Sequence, residues 1–136
     1  MKLSKKQRLL LYDKYGGKCA YCGCELPERW CADHIEPIQR NFYYCKDKKR
    51  HVQDGTCLNP ELDTFENMNP SCPSCNTIKG SNSLEGFRKV IQGFIKSLNR
   101  DSTQYKFAKR YGLVQETDIE VEFYFEMKAT ELEITL

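Results

Sequence analysis

Histidine is scarce in this chain, with two among 136 residues. A step that needs an imidazole therefore has only His34 and His51 to draw on. No apolar run approaches the roughly 20 residues that a helix needs to cross a bilayer, so no membrane span is expected. The opening "MKLSKKQRLL" lacks the apolar stretch of a secretory signal. Neither an internal repeat nor a low-complexity tract is present, which argues against solenoid and fibrous architectures. The expectation from these absences is a soluble, intracellular protein.

What is present suits one domain, residues 1–136. Hydrophobic residues make up 40% and aromatics 12%. That supplies a modest core and is too apolar for a disordered chain. The net charge of +2 conceals an asymmetry. Residues 1–115 carry 20 Lys+Arg against 12 Asp+Glu, a net of +8. Residues 116–136 carry one Lys against seven acids, a net of −6. A basic body suits a polyanionic partner, and an ordinary solvated surface accounts for it equally well.

Local signals place the elements. Ser4 can cap a helix over residues 4–15, with Gln7 as its capping-box partner and Gly16-Gly17 as its end. A short strand is expected around residues 30–34. Residues 39–65 read as an irregular polar loop. Leu84, Phe87, Val90, Ile91, Phe94, Ile95 and Leu98 keep a 3.6-residue period and predict a helix over 84–98. A further helix is expected over 102–111, ended by Gly112. In the tail, Ile119, Val121, Phe123, Phe125 and Met127 alternate with polar residues, and so do Leu132, Ile134 and Leu136. This predicts two half-buried strands in a C-terminal hairpin. Such strands could present a solvated face, or pair edge to edge in a homodimer.

The chain holds eight cysteines. Without a sign of export, reduced thiols and metal ligation are better expectations than disulfides. Cys19-x-x-Cys22 and Cys72-x-x-Cys75 form two knuckles separated by 49 residues. Two such turns supply the four tetrahedral thiolates that structural Zn²⁺ prefers. The linking segment is longer than in a standard zinc ribbon. Cys24, Cys31, Cys45 and Cys57 have no regular spacing and are left unassigned.

Asp33-His34 falls between the knuckles at the end of the expected strand. A carboxylate is a hard donor suited to Mg²⁺, and an imidazole can serve as general base. Neighbours on a strand point to opposite faces, so the two can share a site only where the strand ends or twists. His51, beside Arg50, reads as a surface residue.

Taken in order, "KYGGKCAYCGCEL", "ADHIEPI", "ENMNPSCPSCNTIKG" and "SLEGFR" resemble the HNH endonuclease family, especially small stand-alone HNH proteins of bacteriophages. The resemblance covers residues 4–98. It implies an α+β fold with a ββα-metal core on a four-cysteine zinc site; residues 99–136, outside the resemblance, read from their own patterns as a helix and an acidic β extension. It implies that His34 deprotonates the attacking water, that Asp33 binds the catalytic metal, and that Asn67 holds the histidine or its loop in place. Asn76 stands where many members have His, making an H-N-N variant in which Asn76 is a second ligand for Mg²⁺ or Mn²⁺. The implied reaction is metal-dependent hydrolysis of DNA with weak sequence specificity. The implied location is the cytoplasm of a bacterium or a phage-infected host. Lys79 and Arg88 are the expected phosphate contacts. Arg8, Lys14, Lys18, Arg40, Lys46, Lys48, Lys49 and Arg50 are further candidates.

Two other function classes fit the same knuckles. One is a zinc-knuckle nucleic-acid-binding protein without catalysis. The other is a zinc-stabilised interaction module that uses the aromatic tail. Only the nuclease needs Asp33, His34, Asn67 and Asn76 together.

Overall fold

A computed structural model describes residues 1–135. Helix α1 (Lys5–Asp13) starts where the capping box requires. The Ser4 hydroxyl accepts from the Gln7 amide at 3.2 Å, and the Gln7 side chain accepts from the Ser4 amide at 3.0 Å. Gly16 and Gly17 then turn the chain with φ of +63° and +76°, a region open to glycine at no steric cost. At Gly17 the Tyr12 ring lies 3.0–3.1 Å from where a Cβ would sit, so a side chain there would be crowded as well as strained.

Four strands follow: β1 (Cys31–His34), β2 (Arg40–Cys45), β3 (Arg50–Cys57) and β4 (Met68–Ser71). β1 pairs antiparallel with β4, setting Asp33 opposite Asn69 and His34 opposite Met68. β2 and β3 pair only with each other. The polar segment expected to be irregular over 39–65 is therefore largely a β-hairpin. Phe42, Tyr43, Tyr44 and Val52 favour strand, but its turn holds no glycine. Lys49 supplies the left-handed position at φ +48°, a conformation that sequence patterns do not assign to lysine.

Five helices complete the mixed α+β fold: α2 (Pro73–Lys79), α3 (Leu84–Gln92), α4 (Phe94–Asp101), α5 (Thr103–Arg110) and α6 (Tyr124–Thr135). The helix expected over 84–98 is broken at Gly93 into α3 and α4, consistent with glycine's weak helix propensity. α5 follows directly, capped by Ser102, whose hydroxyl accepts from the Tyr105 amide at 3.1 Å. Gly112 ends it at φ +74°. Among the described residues no helix is long and apolar enough to cross a membrane.

The C-terminal hairpin expected from the alternation is not formed. Residues 113–123 join no strand, and the chain then enters α6. Leu136 lies outside the described residues. Alternation survives only as alternate burial, with Val121 half-buried and Phe123 1% exposed. Side chains replace the missing strand partner: Gln92 donates to the Ile119 carbonyl at 3.0 Å and accepts from the Val121 amide at 2.9 Å. Glu126 reaches back to the Phe123 amide at 2.9 Å, the second half of a capping box, and so starts a helix. The tail therefore presents no strand edge for pairing among the described residues.

Phe123 anchors the tail in the core. Its ring stacks on Phe87 with centroids 5.2 Å apart, and Tyr21 meets both rings edge-on at 5.6 Å. Leu11, Trp30 and Met68 complete the cluster against Cys19 and Cys72. The core thus sits directly beneath the cysteine knuckles.

Candidate metal centre and the cavity beside it

The two knuckles are separated by 49 residues in sequence and meet in space. The sulfur atoms of Cys19, Cys22, Cys72 and Cys75 all lie within 4.8 Å of one another. Cys22 and Cys72 are 3.9 Å apart, close to the ~3.8 Å edge of a tetrahedron built on Zn–S bonds of ~2.3 Å. The four thiols therefore fit a structural zinc ion. Cys72 is the N-cap of α2, with Pro73 as its first helical residue. Its sulfur accepts from the Cys75 amide at 3.4 Å, while the Cys72 amide points at the Cys19 sulfur at 3.3 Å. The Cys19 thiol is held down at about 4 by the hydrogen bond from Cys75 and by backbone amides that outweigh its burial. Cys75 is pushed up by that same neighbour. Among the described residues Cys31, Cys45 and Cys57 do not join the cluster, and Cys24 borders it beside Cys22 and Cys72.

A polar cavity of about 320 Å³ opens beside α2. Asp33, His34, Arg40, Asn76, Gly80 and Ser81 line it. Asp33 and His34 are the last two residues of β1, both still paired with β4, and both reach the rim of the cavity. Asn76 comes from α2, one residue after Cys75. The residue that follows the thiol cluster thus shares a cavity with the Asp-His pair. A larger hollow of about 730 Å³ beside Tyr15 and Phe125 is mainly apolar and contains none of these groups.

Asp33 is 7% exposed, and its contacts are divided between its oxygens. The Tyr21 hydroxyl donates to Oδ2, and the Lys79 ammonium sits 3.1 Å from the same atom. Oδ1 makes no hydrogen bond among the described residues, nor does the Asn76 side chain. Burial, followed by the Asp33 charge, pushes the Tyr21 phenol well above its ordinary range, so it stays a donor. One carboxylate oxygen and one amide oxygen remain for a cation, which fits a divalent ion that prefers hard oxygen ligands.

His34 is braced from outside the cavity. Its Nε2 lies 2.8 Å from Asp63 Oδ1, and Asp63 also accepts from the amino group of Met1. With the proton held at Nε2, the lone pair is at Nδ1. The Met1 amino group and then His34 hold the Asp63 carboxyl below the usual carboxylate range. Asn67 closes the same loop. It donates to the carbonyls of Glu36 and Leu62 at 2.8 Å each and accepts from the Glu36 amide at 3.0 Å. Its backbone carbonyl also takes the Ile35 amide at 2.8 Å. Asn67 therefore holds the segment after His34 and does not line the cavity.

The expected phosphate contacts are placed differently. Lys79 is fully buried, bonded to the His34 carbonyl at 2.7 Å and to Asp33. It locks β1 to α2 and cannot meet a phosphate. Arg88 lies over the Phe123 ring at 4.6 Å and pairs with Glu126 and Glu85. Its side chain is 15% exposed and ties α3 to the tail. Arg8 covers Trp30 and donates to its carbonyl at 2.7 Å, and Lys14 bonds the Met68 carbonyl at 2.9 Å. Arg40, Lys46, Lys48, Lys49 and Arg50 remain exposed. Sequence reasoning missed Asp63, which carries no motif signal, and Tyr21, whose place inside the first knuckle was the only hint. Comparison with protein-family models, with curated proteins and with solved structures returns no match for this chain.

Proposed function

We propose that this chain is a metal-dependent DNA endonuclease of the HNH type, with a structural zinc beside its catalytic cavity. The supporting observation is that Asp33, His34 and Asn76 line one cavity although Asn76 lies 42 residues beyond His34. The β1–β4 pair followed by α2 is a strand–strand–helix unit of the order that a ββα-metal core requires. The thiol cluster fixes Cys75 and with it the start of α2, so a structural metal would position a ligand for a catalytic one.

Asp33 Oδ1 and the Asn76 amide oxygen would hold Mg²⁺ or Mn²⁺. When bound, such an ion offsets the negative charge that builds on a phosphate under attack. The chain's own residues supply the rest. His34 accepts a proton from water at Nδ1, and Asp63 stabilises the imidazolium through Nε2. Asn67 keeps the His34 loop closed. Lys79 and Tyr21 orient Asp33 by occupying Oδ2, leaving Oδ1 toward the cavity.

The Lys79–Asp33 ion pair favours a second reading, a nucleic-acid-binding protein without catalysis, because a cation already partly neutralises the carboxylate. A supercoiled-plasmid assay with Mg²⁺ or Mn²⁺ separates them. The zinc-loaded protein is expected to nick, and His34→Ala to abolish nicking with zinc content unchanged. Equal inertness of both proteins across metals and substrates would favour the second reading.

A further inference from the structure

The β2–β3 hairpin stands apart from the sheet that carries Asp33 and His34, and neither of its edges is paired to the body. Two-stranded ribbons are marginal in water unless something packs on them. This one exposes three consecutive aromatics, Phe42 at 56%, Tyr43 at 52% and Tyr44 at 55%. Phe42 and Tyr44 share a face, about 6.7 Å apart along the strand. His51 braces Tyr44 edge-on at 5.5 Å. Lys46, Lys48, Lys49 and Arg50 are exposed at the tip, and none pairs with a carboxylate among the described residues. Over residues 40–57 five Lys+Arg face two Asp, a net of +3. Arg40, at the base of β2, also lines the cavity, so the ribbon is continuous with the candidate site.

Aromatics flanked by lysines discriminate between partners. Protein interfaces are depleted in lysine. Nucleic-acid surfaces combine cations for the phosphates with rings on which bases stack. In a duplex the base faces are already stacked on one another, so two exposed rings can engage only bases that are unpaired or displaced. We infer that the β2–β3 hairpin is a docking arm for unpaired bases, held by Phe42 and Tyr44, which directs the cavity to DNA with single-stranded or branched character. The choice of DNA rests on the nuclease reading above.

The test is fluorescence anisotropy with the zinc-loaded full chain, without added Mg²⁺. The probes are a labelled single strand, its blunt duplex, and the same duplex with an unpaired bulge. The single strand and the bulged duplex are expected to bind at least about fivefold tighter than the blunt duplex, the low end of base–aromatic stacking. The double variant Phe42→Ala/Tyr44→Ala removes that preference while leaving the salt dependence of binding unchanged. Lys48→Ala/Lys49→Ala does the reverse, keeping the preference and lowering the salt slope by about one to two. Circular dichroism and zinc content check that each variant is folded. The inference is overturned if the wild type shows no preference, or if the ring variant keeps it. It is also overturned if no DNA binds while the chain self-associates through these rings, which would assign the face to protein. Metal-dependent nicking that needs His34 but shows no such preference would defeat this inference alone. The preference without any nicking would defeat the nuclease reading and leave the arm standing.

Discussion

Replacing Asp63 should slow the proposed reaction in a graded way. The carboxylate lies 2.8 Å from His34 Nε2, and the two side chains are 24% and 11% exposed. A hydrogen bond to a charged group contributes about 1.5–3 kcal/mol, roughly twice a neutral one. Partial exposure argues for the middle of that range. Asp63→Asn keeps a neutral acceptor and loses about half, ~1 kcal/mol, or about fivefold in kcat. Asp63→Ala loses the whole interaction, ~2 kcal/mol, or about 30-fold. The assay is the initial rate of plasmid nicking, with zinc content and melting temperature measured in parallel. A purely structural role would lower the melting temperature and the zinc content together with the rate. Asp63 also binds the Met1 amino group, and loss of that contact is read in the melting temperature rather than in the rate. Rates within twofold of wild type for Asp63→Ala, with zinc retained, would refute the reasoning.

Three further outcomes follow from the geometry. Cys75→Ser should cut bound zinc below one per chain by metal analysis and lower the melting temperature. It should also abolish nicking, because Asn76 loses its anchor. Lys79→Met should leave the Asp33 charge buried without its partner and destabilise the fold by about 3–5 kcal/mol in urea unfolding. It should not change the salt dependence of DNA binding, since Lys79 faces no solvent. Burial raises the Glu126 carboxyl, but bonds from Arg88 and the Phe123 amide outweigh it and leave it below the usual value. A depressed folded value contributes stability above the unfolded value of about 4.3, which is lost as pH falls through the folded one. Glu126→Gln should therefore flatten the acid limb of a stability–pH curve below about pH 4.3, measured by thermal melts.

Where a signal was local and chemical, the sequence was readable. Ser4 and Gln7 define a capping box within four residues, and α1 begins there. The four cysteines announce their chemistry by spacing, and they cluster. Motif order singles out Asp33, His34 and Asn76, and the fold places all three on one cavity. What failed was longer in range or ambiguous in period. The tail alternates like a strand, yet a strand needs a partner edge. Side chains of Arg88 and Gln92 take that place, and Glu126 starts a helix instead. The β2–β3 ribbon has no turn signature in the sequence, because its turn relies on Lys49 in a left-handed conformation. Lys79 and Arg88 look like surface cations in the sequence, because charge alone does not reveal a carboxylate partner from another element. Asp63 reaches His34 from a loop 29 residues away, and no periodicity reports such a contact.

The central claim is that the thiol cluster holds Asn76 where it and Asp33 can take a divalent ion beside His34. Electron paramagnetic resonance titration of the zinc-loaded protein with Mn²⁺ tests it directly. One bound Mn²⁺ per chain is expected in the wild type and in His34→Ala. Binding should be weakened at least about tenfold in Asp33→Asn and in Asn76→Ala, each retaining zinc, as befits loss of a charged or hard-oxygen ligand. Mn²⁺ binding that is absent from the wild type, or unchanged in both ligand variants, would contradict the account.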